Sequence, residues 1–154
     1  MEPGDARSAR AAALNSLARR DHASGELRRK LLRRGFEAAL IERVIEDLLA
    51  EGLLDDRRFV ENFIAYHAQR GHGPLRVRAD LRAAGLEGAL VEEGLEAYPD
   101  WLAQLRQARR KKFGDPPPEG YEDRRRQARF LSYRGFTGAQ IRTGLGFDTD
   151  LDIE

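Results

Sequence analysis

Arginine is the residue type through which this chain could do chemistry. Arg19 and Arg20 lead into a first cluster of Arg28, Arg29, Lys30, Arg33 and Arg34. Arg76, Arg78 and Arg82 form a second cluster, and Arg124, Arg125, Arg129 and Arg134 a third. A guanidinium is a planar, permanently charged fork that donates two parallel hydrogen bonds to phosphate or carboxylate. Three such clusters fit a surface for nucleic acid or acidic protein. They also fit three solvated helix faces, because charged side chains are ordinarily exposed. For one cluster the solvated face is the simpler account. Three in register bring a surface function level with it.

No other residue set amounts to a reaction centre. Ser16 and Ser24 have no base and orienter at recognisable spacing. No His-Glu-x-x-His, nucleophile elbow or P-loop occurs. His22, His67 and His72 do not form a spaced ligand set. His67 falls on an apolar stripe and is expected to pack, and His72 lies in a Gly-rich turn. Asp55-Asp56 reads as a helix cap followed by a first-turn acid, with Asp21 at a similar turn, and not as a metal pair. Trp101, Tyr66, Tyr98, Tyr121 and Tyr133 could stack on bases, but their helical spacing assigns them to cores and unit interfaces. No catalytic residue, metal or cofactor is therefore expected.

The elements that must hold these side chains are written in a repeat. Gly35, Gly85 and Gly135 stand fifty residues apart, each after a Leu-containing amphipathic stretch and each followed by Phe36, Leu86 or Phe136. The register continues through Leu40-Ile41, Leu90-Val91 and Gln140-Ile141. A fixed period at this scale marks a repeat array. Apolar residues recur at helical spacing throughout, and no stretch alternates as a strand does. Nine helices are predicted, at 7–20, 24–34, 37–51, 55–70, 74–84, 87–97, 100–113, 121–134 and 137–145. Ser24, Asp55 and Thr137 (with Gln140 as its capping-box partner) are the expected N-caps. Pro74 suits a first helical position. The fold class is thus all-α, with three tandem three-helix repeats forming an elongated array at 7–54, 55–98 and 99–147. The third carries a Pro-rich loop insertion at 114–120.

Charge follows the same punctuation. The net charge of +1 conceals balances of +5, −5, +3, −5, +6 and −3 over residues 1–34, 35–66, 67–84, 85–100, 101–134 and 135–154. The sign changes at each repeat glycine. Middle helices would then form a basic stripe and third helices an acidic one, unless ion pairs between units consume both. The absence of cysteine excludes disulfides and suits a reducing, cytoplasmic home. No apolar run is long enough to span a membrane, and Met1-Glu2-Pro3-Gly4-Asp5 has no apolar signal core.

Several local patterns resemble the RecX family of RecA regulators. They are Leu17-Ala18-Arg19-Arg20-Asp21-His22 with Glu26-Leu27, Lys30-Leu31 and Arg34-Gly35-Phe36; then Gly52-Leu53-Leu54-Asp55-Asp56 with Arg58-Phe59. Gly71-His72-Gly73-Pro74 with Arg76, Leu81-Arg82 and Gly85-Leu86 follows, and then Phe130-Leu131-Ser132-Tyr133-Arg134-Gly135-Phe136. The resemblance spans about residues 12 to 147 and is weakest over 100–123. It implies a non-enzymatic protein that binds the RecA nucleoprotein filament and restrains strand exchange and the coupled ATP hydrolysis. DNA repair, recombination and the SOS response would be modulated as a result. The basic clusters would then be filament contacts on a monomer, with nucleic acid met indirectly or weakly. A direct DNA-binding helical module and a general helical scaffold remain the alternatives. Against the former, the expected third helices are acidic where a recognition helix would be basic.

Overall fold

The computed structural model describes residues 5–146. Among them are nine helices and no strand: α1 (Ala6–Arg19), α2 (Ser24–Arg33), α3 (Ala38–Ala50), α4 (Asp56–Gln69), α5 (Pro74–Ala83), α6 (Ala89–Ala97), α7 (Trp101–Phe113), α8 (Gly120–Tyr133) and α9 (Gly138–Leu145). Their ends lie within two residues of those expected.

The caps explain where the helices begin. Asp5 Oδ1 accepts from the Ser8 N–H at 2.9 Å and Asp55 Oδ1 from the Arg58 N–H at 3.1 Å. Thr137 and Gln140 cap each other reciprocally, at 3.1 and 2.9 Å. Ser24 departs from its expected role. It is the first helical residue of α2, after Ala23, and it points to another unit. The middle helices stop as expected. Gly35, Gly85 and Gly135 take φ of 93°, 89° and 97°, a region costly for any residue with a Cβ. The amides of Phe36, Leu86 and Phe136 turn back to Leu31, Leu81 and Leu131 at 3.3, 2.9 and 3.2 Å, closing three Schellman motifs.

Each consecutive helix triplet closes into a triangle in which every helix packs on the other two. The third helix approaches the first closely where glycine allows it. A Cβ on Gly94 would meet Val60 and Ile64 at 2.9 Å, and one on Gly144 would meet Leu105 Cδ2 at 2.4 Å. Between triangles, α4 against α7 is the substantial helix pairing, and no pairing of that extent joins the first unit to the third among the described residues. The chain is therefore a linear array.

The two joints of the array differ. The first unit has its own core around Leu27, Leu31, Ile41, Ile45, Leu48 and Leu54. It meets the second through polar contacts: Ser24 donates from N–H to Asp56 Oδ1 at 2.7 Å and from its hydroxyl to Asp56 Oδ2 at 2.5 Å. Asp56 thus links two helix N-termini, where the first-turn reading placed it on one. The second and third units share a continuous core that runs from Val60 and Ile64 through Leu81 and Trp101 to Leu131, Phe136 and Ile141. Backbone joins them directly, Gly73 N–H to the Arg134 carbonyl at 2.7 Å and Leu75 N–H to the Gly135 carbonyl at 2.9 Å. A Cβ at Gly73 would lie 2.3 Å from Phe136 N, and one at Gly135 would lie 2.4 Å from Arg76 Cβ.

Candidate partner-binding surface

In the first two units the triangle sets α2 edge to edge with α3 and α5 with α6. Their opposite charges therefore face each other inside a unit. Arg28 Nη2 donates to Glu42 Oε2 at 3.2 Å, and Arg78 Nε donates to Glu92 Oε1 at 2.8 Å. These two pairs occupy identical register, fifty residues apart. Arg82 pairs with Glu87 at 3.4 Å, and Arg20 with Glu26 at 3.0 Å. The expected basic and acidic stripes are thus cross-linked, and by pairs within a unit, not between units.

The third unit breaks the pattern. The register positions of the clamp are Ala128 and Arg142, so no pair can form. The described α9 contains Arg142 and no acidic residue, which corrects the expectation of an acidic third helix there. The acids behind that expectation, Asp148, Asp150, Asp152 and Glu154, lie outside the described residues, as does residue 147.

The other predicted basic residues divide accordingly. Arg29 and Arg76 belong to the joints: the Arg29 guanidinium lies beside Gly85 at the end of α5, and Arg76 beside Gly135 at the end of α8. Arg19, Arg33 and Arg34 are exposed and Lys30 is half-buried, with no carboxylate at ion-pair distance among the described residues. Arg124, Arg125 and Arg129 are exposed along α8. Arg134 lies over the Phe130 ring at 5.2 Å and lines a cleft of about 290 Å³ with Arg70, Lys111, Lys112 and Gln107. That cleft spans the joint of the second and third units, holds four cations, and has no carboxylate in its lining.

Aromatic placement was only half legible. Trp101 is buried and donates from Nε1 to the Leu95 carbonyl at 3.0 Å, and Tyr98 packs on it. Tyr66, Tyr121 and Tyr133 are instead exposed, Tyr133 at 83%. Tyr66 carries Arg70 over its ring at 4.3 Å. Tyr133 is the last residue of α8, between Arg129 and Arg134 in sequence, and its uncovered ring beside cations can stack on a base or anchor a protein contact.

Two features escaped the pattern of the sequence. Arg109, within a basic run, is buried and holds the Pro-rich loop through the carbonyls of Asp115 and Pro116 and through Gln127, at 3.1–3.2 Å. Sequence spacing gives the three histidines no common ligand set, yet His67 Nδ1 and His72 Nδ1 lie 3.3 Å apart, with the Asp80 carboxylate in the same group. Spacing templates miss them because His67 lies in the last turn of α4 and His72 sits beyond a turn. Burial lowers the pKa of both rings; Asp80 opposes the shift at each, while Arg76 adds to it. His22 is buried, with Nδ1 bonded to the Arg20 carbonyl at 3.0 Å and Nε2 unpartnered. Burial lowers its pKa as well. Asp123 is held below the ordinary carboxylate range by the Glu119 N–H and then by Arg126.

Three family models match in sequence order. RecX's first three-helix domain covers residues 9–48, its second 55–95 and its third 99–145. The chain belongs to the RecX family. A Regulatory protein RecX from Halorhodospira halophila is 46% identical over 134 residues, 86% of this chain and 83% of that one. One from Acidithiobacillus ferrooxidans is 44% identical over 143 residues, 93% and 92% of the two chains. The crystal structure of RecX from Lactobacillus salivarius superposes with a TM-score of 0.82 at 19% identity, covering 92% of this chain and 95% of that one. The shared fold is the all-helical three-unit array. The RecX relatives are named regulatory proteins. No helix among the described residues is long and apolar enough to cross a membrane.

Proposed function

We propose that the chain binds the RecA nucleoprotein filament and inhibits its strand-exchange and coupled ATPase activities, thereby modulating recombination, repair and the SOS response. It acts without catalysis of its own, as a monomer in the cytoplasm. The units are taken as 7–54, 55–98 and 99–147. The RecX resemblance supplies the partner. The observation that carries the surface is the cleft of Arg70, Lys111, Lys112 and Arg134 at the second joint, continued along α8 by Arg125 and Arg129. These cations have no carboxylate clamp, whereas Arg28 and Arg78 are neutralised in place. Cations already paired lose part of their attraction for an incoming phosphate or acidic loop. Unpaired ones offer it whole. Of the fourteen basic candidates, Arg125, Arg129 and Arg134 therefore lead. Arg33 and Arg34 are the first-unit contribution, and a linear array engages both ends by multivalency.

A second reading, direct contact with the nucleic acid of the filament, is favoured by Tyr133, exposed between two arginines. Titrating the chain into RecA on single-stranded DNA while following ATP hydrolysis tests the first. Binding to naked DNA across a salt series tests the second. Inhibition with weak naked-DNA binding is the expected result. No inhibition by folded protein at stoichiometric amounts overturns the proposal, and strong, steeply salt-dependent DNA binding alone favours the second reading.

A further inference from the structure

We propose that His67, His72 and Asp80 form a binding site for a divalent transition metal ion of the zinc class, with His67 Nδ1, His72 Nδ1 and one Asp80 carboxylate oxygen as ligands. One nitrogen of each ring and an Asp80 carboxylate oxygen lie within 4.8 Å of one another. The nitrogens are 3.3 Å apart. Zinc binds imidazole nitrogen at about 2.0–2.1 Å in a tetrahedron, whose edge is then about 3.3–3.4 Å. The nitrogen pair thus already has the separation a shared ion requires, and the Asp80 carboxylate lies in the same group. Two imidazoles and a carboxylate suit zinc, copper or nickel better than magnesium or calcium.

The scaffold holds the ligands in place. His67 lies in the last turn of α4, His72 follows a turn fixed by its own N–H to the His67 carbonyl at 3.2 Å, and Gly73 is bonded across the joint to Arg134. Asp80 stands on α5, which begins directly after that joint. Phe63 covers one side of His67, with ring centroids 4.2 Å apart. Burial favours the neutral, coordinating form of both rings. Arg70, Arg76 and Arg134 surround the group and oppose a cation, while Asp80 supplies the negative charge. Affinity therefore falls below that of closed structural zinc sites. Because His72 adjoins Gly73, an ion here ties α4 and α5 together where the second unit grips the third.

The two rings are 18° from parallel, and the same closeness also fits a plain Nδ1–H···Nδ1 hydrogen bond. The test must separate the two. Tag-free full-length protein is titrated with Zn²⁺ against a chromophoric chelator, and with Co²⁺ to read ligand-field absorption. The expected result is one equivalent bound. His67→Ala, His72→Ala and Asp80→Asn should each weaken binding at least tenfold, while His22→Gln binds as the parent does. Circular dichroism checks that each variant is folded. Independently, Zn²⁺ should shift the imidazole ¹⁵N signals of His67 and His72 in the unaltered chain and leave those of His22 in place. Binding no tighter than that of the His67→Ala/His72→Ala double variant, or unmoved His67 and His72 signals, overturns the site and leaves the hydrogen bond as the whole explanation.

Discussion

The first joint of the array and the second are built on one fifty-residue register and yet hold by different physics. Leu75 donates its N–H to the Gly135 carbonyl at 2.9 Å, whereas at the matching place a Cβ on Gly25 would only reach 3.7 Å from the Gly85 carbonyl oxygen. At the first joint the coupling is a side-chain carboxylate, Asp56, on Ser24. At the second it is backbone on backbone above a shared core. The electrostatics divide at the second joint. Matched Arg–Glu clamps occupy the first two units, and Ala128 with Arg142 replaces them in the third. A repeat can thus conserve its helices while reassigning which joint is stiff and which surface carries free charge. Here the fused second and third units also carry the carboxylate-free cleft of Arg70, Lys111, Lys112 and Arg134, so a partner that binds it meets a rigid platform.

The largest effect should come from the second joint. Gly73→Ala places a Cβ against the Phe136 and Gly135 backbone, which cannot move aside as a side-chain tip would. A loss on the order of 3–5 kcal/mol is expected in urea unfolding. Gly85→Ala, at the first joint, meets only the tip of the flexible Arg29 side chain and pays mainly for its positive φ, about 1 kcal/mol. Equal losses at both sites would dissolve the distinction between the joints.

Next in size is Asp56→Ala, which leaves the Ser24 amide and hydroxyl without their acceptor. About 2 kcal/mol is expected. Hydrogen exchange should rise at the start of α2 and stay unchanged in α7 to α9. Acceleration spread evenly over all three units would contradict a separate first core.

His22 predicts a pH dependence. Its folded pKa is lowered by burial, so below the ordinary value of about 6.5 the unfolded chain binds more protons. The stability this contributes is complete above that pH and is lost as pH falls through the folded value. The urea midpoint should therefore drop between pH 8 and pH 5.5, and His22→Gln should show a shallower drop. A slope unchanged in the variant would remove His22 as a source.

The smallest effect belongs to the clamps. Arg28→Ala or Arg78→Ala should cost no more than about 0.5 kcal/mol, shrinking further in salt, because these pairs are half-exposed.

The fold was legible in the sequence because its determinants are local. Amphipathic spacing, the Asp55 and Thr137 caps and the glycine stops act within a few residues of themselves. The clamps were half legible: Arg28 and Glu42 share a register with Arg78 and Glu92, but only the triangle shows that they meet. Asp56 on Ser24, buried Arg109 and the His67–His72–Asp80 group were not legible, because each depends on a turn or a joint that brings distant residues together. Exposure of Tyr133 also escaped, since helical spacing gives a side chain's direction but not whether a neighbour covers it.

The most direct test of the central claim is inhibition of RecA ATP hydrolysis by two folded variants, Lys111→Glu/Lys112→Glu/Arg129→Glu and Arg28→Ala/Arg78→Ala. The first should raise the concentration for half inhibition at least tenfold, and the second should stay within about twofold of the parent, as expected for free against clamped cations. Loss of inhibition in the second with retention in the first would contradict the account.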